Sequence, residues 1–273
     1  MIDLHLHTTA SDGRLTPREL VDLAAASGVG VMAVTDHDTT GSVNDVQAFA
    51  RAKGIEAVAG IEITAVFDGR DVHMLAYFVD VADQAFQRFL TSQRASRTAR
   101  LEAIGVRLAE LGMPVNLDAS ISLARLQSSV SVGRPQAARA LIAAGHVKDM
   151  QQAFDRWLGT GRPGFVPRVG PSPEDVIAIV HAARGLVSLA HPGRTRIDER
   201  LGPLHAAGLD AIEVYHSDHD EVTTARYAAL ASEIGFLVTG GSDFHDPGAG
   251  QRPGAVTLPW PHWDRLLAWR RSR

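Results

Sequence analysis

The first strand predicted for this chain restricts its fold and its chemistry more than any other segment. It lies in the opening residues MIDLHLHTTASD, where apolar residues alternate with Asp3, His5 and His7. A period of two is typical of a β-strand that buries one apolar face. His5 and His7 therefore lie side by side on the polar face, where two imidazoles can bind one cation such as zinc, manganese or iron.

Acidic residues and histidines recur where later apolar runs end. The runs are VMAVTDHD, AVAGIEIT, DVHML, GLVSLAHP and GFLVTGGSDFH. Most of them are predicted strands that carry the polar residue at the carboxyl end. In barrels of alternating strands and helices, the loops at that end converge on one mouth, so we expect these side chains to share a site.

Taken in order, these motifs resemble a known family. DLHLHTTASDG, TDHDT, GIEIT, DVHML, LAHP and GGSDFH together resemble the polymerase and histidinol phosphatase (PHP) superfamily of metal-dependent phosphoesterases. The resemblance extends from Ile2 to the GSDFH segment and so covers nearly the whole chain. It is greatest to stand-alone bacterial members that act on nucleotide 5′ or 3′ phosphates, which include a 3′,5′-nucleotide bisphosphate phosphatase and a 5′-to-3′ exoribonuclease.

The resemblance implies a set of metal ligands. They are His5, His7, Asp12, His37, Glu62, His73, His191, Asp243 and His245. In the family pattern Glu62 bridges two metals, one completed by His5, His7 and Asp243 and the other by His73 and His191, while Asp12, His37 and His245 hold a third. We therefore expect three divalent ions, with Mn²⁺ as the expected metal and Fe²⁺, Zn²⁺ or Mg²⁺ as alternatives. The chain has no cysteine, so nitrogen and oxygen must supply the ligands.

Three arginines are predicted to bind substrate phosphate, because a guanidinium fork matches phosphate oxygens in pairs. Arg134, in SVGRP, resembles a family position that faces the substrate. Arg168 ends a return loop rich in proline and glycine, and Arg194 follows the predicted ligand His191 by three residues.

Three further polar residues lie next to the predicted ligands or strands. His216 is predicted to orient substrate or to donate a proton to the leaving oxygen. Asp36 is predicted to serve catalysis by orienting an imidazole. Asp38, in the same TDHDT motif, is predicted to have an ordinary turn or cap role.

We predict an α/β fold, a distorted (β/α)7 TIM-like barrel with a helical insertion. Asp68-Gly69 predicts a hairpin, so that the next strand returns antiparallel and brings Glu62 and His73 to the same mouth. Strands alternate with helices in the second half, which indicates parallel βαβ units. The predicted barrel comprises residues 1–82 and 162–273, and residues 83–161 form an insertion that caps the substrate.

Length and charge set limits on the partners of the chain. Its 273 residues are enough for one barrel or two modest domains, and a net charge of −4 argues against a surface generally coated by nucleic acid. The chain opens directly on a strand, without the apolar run of a signal or membrane segment. We therefore expect a cytoplasmic protein with no membrane partner and no obligate protein partner.

The expected activity is hydrolysis of a phosphoric monoester. Its expected substrate is a small nucleotide, a nucleoside 3′,5′-bisphosphate such as phosphoadenosine phosphate, from which the 3′-phosphate is removed to leave AMP. Two alternatives keep the metals: a 5′-to-3′ exonuclease on short 5′-phosphorylated RNA or DNA, and a histidinol-phosphate phosphatase. A third alternative is a metal-stabilised interaction module like the PHP domains attached to replicative polymerases.

Overall fold

The structure, a computed structural model, describes the backbone of residues 1–273 and every side chain except that of Ala249. Among these residues, seven strands form one sheet in the order of the sequence. The strands are β1 Ile2–Leu6, β2 Val31–Val34, β3 Glu56–Phe67, β4 Arg70–Tyr77, β5 Leu186–Leu189, β6 Ala211–His216 and β7 Leu237–Gly241. The predicted α/β barrel class is confirmed.

The sheet curls into a nearly closed barrel in which one strand runs against the others. β4 is antiparallel to both β3 and β5, whereas the remaining neighbours are parallel. Asp68 and Gly69 make the predicted hairpin turn with φ values of 49° and 70°, as a two-residue turn of this kind requires. Leu6 bridges Phe244, and the His7 N–H donates to the Phe244 carbonyl at 3.0 Å, so the chain after β7 meets β1.

Helices connect the strands, and several of them pack against the outside of the barrel. They are α1 Pro17–Ala26, α2 Val43–Ala52, α3 Gln84–Glu110, α4 Asp118–Leu126, α5 Arg134–Ala143, α6 Met150–Ala153, α7 Pro173–Ala182, α8 Pro192–Thr195, α9 Leu201–Ala206, α10 Glu221–Ile234 and α11 Trp260–Arg271. A capping box starts α1, because Thr16 and Glu19 each accept a hydrogen bond from the other's backbone N–H. Of the helices described, none is both long and apolar enough to cross a bilayer.

Two of the short helices adjoin turns of another type. α6 continues as a π-helical turn, in which the Gly159 N–H donates to the Phe154 carbonyl. A 3-10 turn, Asp198–Arg200, precedes α9, which starts only at Leu201. Pro203 explains why α9 starts at Leu201. A proline has no N–H to donate to the preceding turn, so it is tolerated only in the first turn of a helix.

Apolar side chains form separate clusters in the barrel and in the helices between β4 and β5. The barrel cluster includes Leu4 and Ile61, both fully buried. The second cluster runs from Leu101 to Leu158 and comes entirely from the helical segment. The helices therefore have a core of their own, while the domain bounds of 83–161 stay a prediction.

The close approach of β7 to β1 gives a test of barrel closure. A methyl group added at Gly241 would lie 2.4 Å from the His5 backbone nitrogen and 2.5 Å from its Cβ. We expect Gly241→Ala to lower the free energy of unfolding by about 1 to 3 kcal/mol, measured by urea denaturation. Gly202→Ala is the control, since its methyl would meet no atom within 4 Å. Equal stability of the two variants would contradict this account of closure.

Candidate metal centre

The barrel brings all nine predicted ligands to one mouth. They lie in β1 and just after it, after β2, within β3 and β4, and in the loops after β5 and β7. Within the β3–β4 pair, Glu62 is opposite Leu75 and Thr64 is opposite His73. Glu62 and His73 are therefore diagonal neighbours on the same face, as the predicted hairpin requires.

The Glu62 carboxylate lies at the centre of this group and is 1% exposed. Its Oε1 atom is 2.8 Å from His73 Nδ1 and 3.1 Å from His191 Nε2. Its Oε2 atom is 3.3 Å from His7 Nε2 and 3.2 Å from His37 Nδ1. Each oxygen thus faces a different set of imidazoles, which is the geometry that a bridging carboxylate needs.

Four groups of side chains have donor atoms within 4.8 Å of one another. They are His5–His7–Glu62–Asp243, His7–Asp12–His37–His245, His37–Glu62–His73 and His5–Glu213–His216. The first matches one implied metal site, and the second matches another with His7 added. The third contains His37 where the family pattern has His191. The number of metals and their individual ligands stay predictions.

The state of the buried nitrogens shows whether these residues fit metal ions. His7 Nδ1, His7 Nε2, His37 Nδ1 and His191 Nδ1 are buried and have no hydrogen-bond partner among the described residues. Buried polar atoms are normally paired. His7 Nε2 and His37 Nδ1 instead lie unpaired 3.2 to 3.3 Å from carboxylate oxygens, an arrangement that suits joint binding of a cation. Imidazole and carboxylate donors suit Mn²⁺, Fe²⁺ or Zn²⁺. The residues therefore fit a cluster of divalent ions.

Protons on the imidazoles balance the buried carboxylates when no cation is bound. Burial by itself raises the pKa of Glu62, but His37 and His73 outweigh it and hold that pKa well below its usual value. Burial lowers the pKa of His7, but Asp243 and Glu62 outweigh it and raise the pKa to about 10. A bound metal must displace such protons, so metal binding and proton release are coupled.

Comparison with known proteins agrees with this geometry. The family model of the PHP domain matches residues 3–158, and several curated relatives match over most of the chain. The chain belongs to the PHP family. A 3′,5′-nucleoside bisphosphate phosphatase from Chromobacterium violaceum is 35% identical over 92% of this chain and 89% of its own. A 5′-3′ exoribonuclease from Haemophilus influenzae is 35% identical over 90% of both chains.

Solved structures show the same fold at similar identity. An amidohydrolase from Chromobacterium violaceum, with bound sulfate and no metal, has a TM-score of 0.88 at 34% identity and covers 98% of this chain and 96% of its own. A protein from Bifidobacterium adolescentis, assigned as a metal-dependent phosphoesterase, has a TM-score of 0.88 at 33% identity, with 97% and 95% covered. The chain is a PHP hydrolase that acts on phosphoesters.

A cavity of about 530 Å³ opens beside the ligands of this PHP enzyme, within the range of small-molecule sites. Seven of the nine predicted ligands line it, and so does a set of guanidinium groups from α3, α5 and the return loop. We call this set the arginine wall: Arg97, Arg100, Arg134 and Arg168.

Two buried acids hold the arginine wall in place. Asp71 Oδ2 lies 2.8 Å from Arg100 and 3.0 Å from Arg134. Burial raises the pKa of Asp71, but these guanidiniums outweigh it and lower the pKa to about 2. Burial lowers the pKa of Arg134 to about 10, so it remains charged at neutral pH.

Asp38 has a larger structural role than the predicted turn or cap. It is fully buried, pairs with Arg97 and Arg168, and accepts a hydrogen bond from the Thr64 N–H at 2.9 Å. Burial raises the pKa of Asp38, but the two guanidiniums outweigh it and lower that pKa well below its usual value. The wall thus joins four guanidiniums to two carboxylates, Asp38 and Asp71, and keeps an excess of positive charge.

Asp36 anchors a loop and is not the imidazole partner that we predicted. Its carboxylate accepts hydrogen bonds from the Thr8 N–H and hydroxyl and from the hydroxyls of Ser11 and Ser42. These contacts fix the loop that carries Asp12 and the start of α2. Three hydroxyl-bearing residues satisfy this acid, which explains why it takes no imidazole.

His216 contacts Asp243, and its side chain is fully buried. Its Nδ1 atom accepts the Asp218 N–H at 3.0 Å, so the neutral imidazole carries its proton on Nε2 and donates to Asp243 Oδ2 at 3.3 Å. This position favours a role in holding Asp243 over the predicted contact with substrate. Arg194 lies at the cavity rim, 58% exposed and 3.8 Å from Asp243.

Arg97, Arg100 and Glu213 were not predicted from the sequence. Arg97 and Arg100 are one turn apart on α3, but the many arginines of the chain made their common face hard to recognise. Glu213 had a clearer signal, because it is an acid between the apolar residues Ile212 and Val214 of β6. An acid at such a position must have a buried partner.

The pairing of Asp38 gives a stability test. Asp38→Ala leaves Arg97 and Arg168 buried without their carboxylate, so we expect the free energy of unfolding to fall by about 3 kcal/mol or more. The control is Asp22→Ala, which removes an ion pair to Lys53 that is about half exposed on both sides, and we expect a much smaller loss because solvent screens this pair. Similar losses in urea denaturation would show that the buried pairing contributes little.

Proposed function

We propose that this PHP phosphoesterase removes the 3′-phosphate from nucleoside 3′,5′-bisphosphates, converting phosphoadenosine phosphate to AMP. One observation carries the proposal: the cavity joins the predicted metal ligands to the arginine wall. A substrate with two phosphates matches both sets of residues, with the 3′-phosphate at the predicted ligands and the 5′-phosphate at the arginine wall. The name of the Chromobacterium relative supports the same substrate class.

Different residues of the chain have different roles in the proposed hydrolysis. We propose that the nine predicted ligands, Glu62 among them, would hold three divalent ions, with Mn²⁺ among the candidates. The chemistry supplied by such ions, when bound, is a hydroxide at neutral pH and screening of the phosphoryl oxygens. Arg134, Arg100 and Arg168 bind and orient the second phosphate. The helical segment, residues 83–161, carries three members of the wall, Arg97, Arg100 and Arg134, and so acts as the substrate cap.

A second candidate is a 5′-to-3′ exonuclease on short 5′-phosphorylated oligonucleotides. The Haemophilus, Salmonella and Escherichia coli relatives carry exoribonuclease names. The same wall would bind the terminal 5′-phosphate, and the first phosphodiester would lie at the metal ligands. In both reactions the 3′-oxygen of the 5′-terminal nucleotide is the leaving group. The two candidates differ in whether the attacked phosphorus carries a further nucleotide, and they share the residues that bind the substrate.

Histidinol phosphate fits the cavity less well. It has a single phosphate and a cationic amine, so at the metal ligands it would leave the arginine wall without an anion. Arg100 Nη2 and Arg168 Nε are buried and, within the described part of the chain, have no hydrogen-bond partner. Unpaired buried donors favour a ligand with a second anionic group.

A comparison of substrates tests the proposal directly. Metal-loaded protein should release inorganic phosphate from phosphoadenosine phosphate and leave AMP. Adenosine 3′-monophosphate lacks the 5′-phosphate, so we expect its kcat/KM to be at least about tenfold lower. Equal values would remove the role of the wall, and turnover of histidinol phosphate alone would overturn the proposal. Mononucleotides released from a labelled 5′-phosphorylated oligonucleotide would favour the second candidate.

Substitution in the wall should separate binding from catalysis. We expect Arg134→Ala to raise KM for phosphoadenosine phosphate by about tenfold or more, because it removes a charge-assisted contact to the 5′-phosphate. KM for adenosine 3′-monophosphate should change little. Arg125→Ala is the control, an exposed arginine of the same helical segment that pairs with Glu102. A similar rise in KM for both substrates would place Arg134 elsewhere in the site.

Substitution of ligands should act on turnover. We expect His73→Ala and Asp243→Asn to lower kcat by orders of magnitude, because each removes a predicted metal ligand. Both variants should keep the fold largely intact, because the two side chains lie at the periphery of the packed barrel. Rates are measured after chelation and controlled return of Mn²⁺, with circular dichroism as the check on folding. Wild-type rates in these variants would show that the metal ligands are misassigned.

A further inference from the structure

Glu213 is a buried carboxylate that contacts two predicted metal ligands and has no role in the proposed chemistry. It lies in β6 and is 0% exposed. Its Oε1 atom accepts from His5 Nδ1 at 2.8 Å, and its Oε2 atom accepts from the backbone N–H of His191, also at 2.8 Å. One side chain therefore links a ligand in β1 to a ligand after β5.

The contact with His5 decides which nitrogen of that ring can bind a metal. Because Nδ1 donates to Glu213, the neutral imidazole keeps its lone pair on Nε2. His5 Nε2 lies 3.4 Å from Glu62 Oε2 and 3.3 Å from Asp243 Oδ1. The free lone pair thus points to the two carboxylates that would share a metal with it.

The contact with His191 holds a backbone conformation that non-glycine residues rarely adopt. His191 has φ 29° and ψ 62°, and Pro192 follows it at the start of α8. Such a conformation persists only where surrounding contacts enforce it. Through this peptide, Glu213 places His191 Nε2 at 3.1 Å from Glu62 Oε1.

We propose that Glu213 is a positioning residue that sets metal affinity on both sides of Glu62, by fixing the tautomer of His5 and the backbone of His191. The inference rests on the metal-binding role proposed above for His5 and His191, and it is independent of the nucleotide substrate. It also gives β6, which supplies no predicted ligand, a direct part in building the centre.

Glu213→Gln is an informative substitution, because glutamine has the size of glutamate but different hydrogen-bonding groups. Glu213 accepts two N–H groups, whereas a glutamine side chain offers one acceptor oxygen and one NH₂ donor. In Glu213→Gln, either the His191 amide loses its acceptor or His5 turns to the tautomer with Nε2 protonated, which cannot bind a metal. Glu213→Asp keeps both acceptor atoms but shortens the side chain by one methylene.

Metal binding, measured without substrate, tests the inference. Mn²⁺ affinity is determined by competition with a chelator, and bound Mn²⁺ is counted by elemental analysis, for the wild type and each variant. We expect Glu213→Gln to bind Mn²⁺ about 10- to 100-fold more weakly, and Glu213→Asp to be weakened as well. The control is Asp210→Asn, a carboxylate just before β6 that contacts His181 and the Val187 N–H. It should keep wild-type affinity.

A second readout separates positioning from general loss of stability. The Tm of metal-free Glu213→Gln should stay near that of Asp210→Asn, while the rise in Tm on adding Mn²⁺ should require about 10- to 100-fold more Mn²⁺ than in the wild type. Saturating Mn²⁺ should then restore much of kcat. If Glu213→Gln does not fold, Glu213→Asp decides, with weakened affinity in support and wild-type affinity against.

Two outcomes would overturn the inference. Wild-type Mn²⁺ affinity in Glu213→Gln would do so, and so would equal losses in Glu213→Gln and Asp210→Asn. Asp243→Asn serves as the reference for loss of a ligand. If Asp243→Asn binds weakly and Glu213→Gln does not, only the role of Glu213 fails. If neither is weakened, the metal centre itself is misassigned.

Discussion

The burial of Glu62 within a ring of imidazoles is the interaction on which the rest of the structure depends. A carboxylate 1% exposed inside a barrel is costly unless positive charge surrounds it. Imidazole nitrogens from β1, from β4 and from the loops after β2 and β5 lie 2.8 to 3.4 Å from its two oxygens. Their convergence requires the barrel to curl until the chain after β7 meets β1. It also requires β4 to run antiparallel, because only a diagonal pairing places His73 beside Glu62.

The arginine wall follows a different rule from the metal centre beside it. Guanidiniums held near one another repel. Asp38 and Asp71 offset part of this cost and fix the planes of the four arginines. Because the wall keeps an excess of positive charge, we propose that an anionic substrate group completes the balance. Selectivity for such a group would then come from the penalty of leaving buried donors unpaired.

Local sequence patterns predicted most of the fold, and the resemblance to the PHP family implied the candidate ligands. Signals that extend over a few residues identified the strands, the hairpin and the mouth of the barrel. They are the alternation of apolar and polar residues, the Asp68-Gly69 pair and the acids at strand ends. The partners of the buried acids were not predicted. Asp38 and Arg168 are 130 positions apart, and their pairing depends on how the return loop packs against β3. Asp36 shows the same limit, because nothing local indicates that Thr8 and Ser42 satisfy it.

β6 shows how a strand without predicted ligands can determine a metal centre. Glu213 contacts the ligands His5 and His191, and His216, three residues later, donates to Asp243. Both side chains are buried, so each had to be matched to a partner during folding. Their partners belong to β1 and to the loops after β5 and β7, which are far apart in sequence. The packing of β6 between β5 and β7 therefore fixes the relative positions of ligands on three separate segments, which loops alone could not hold.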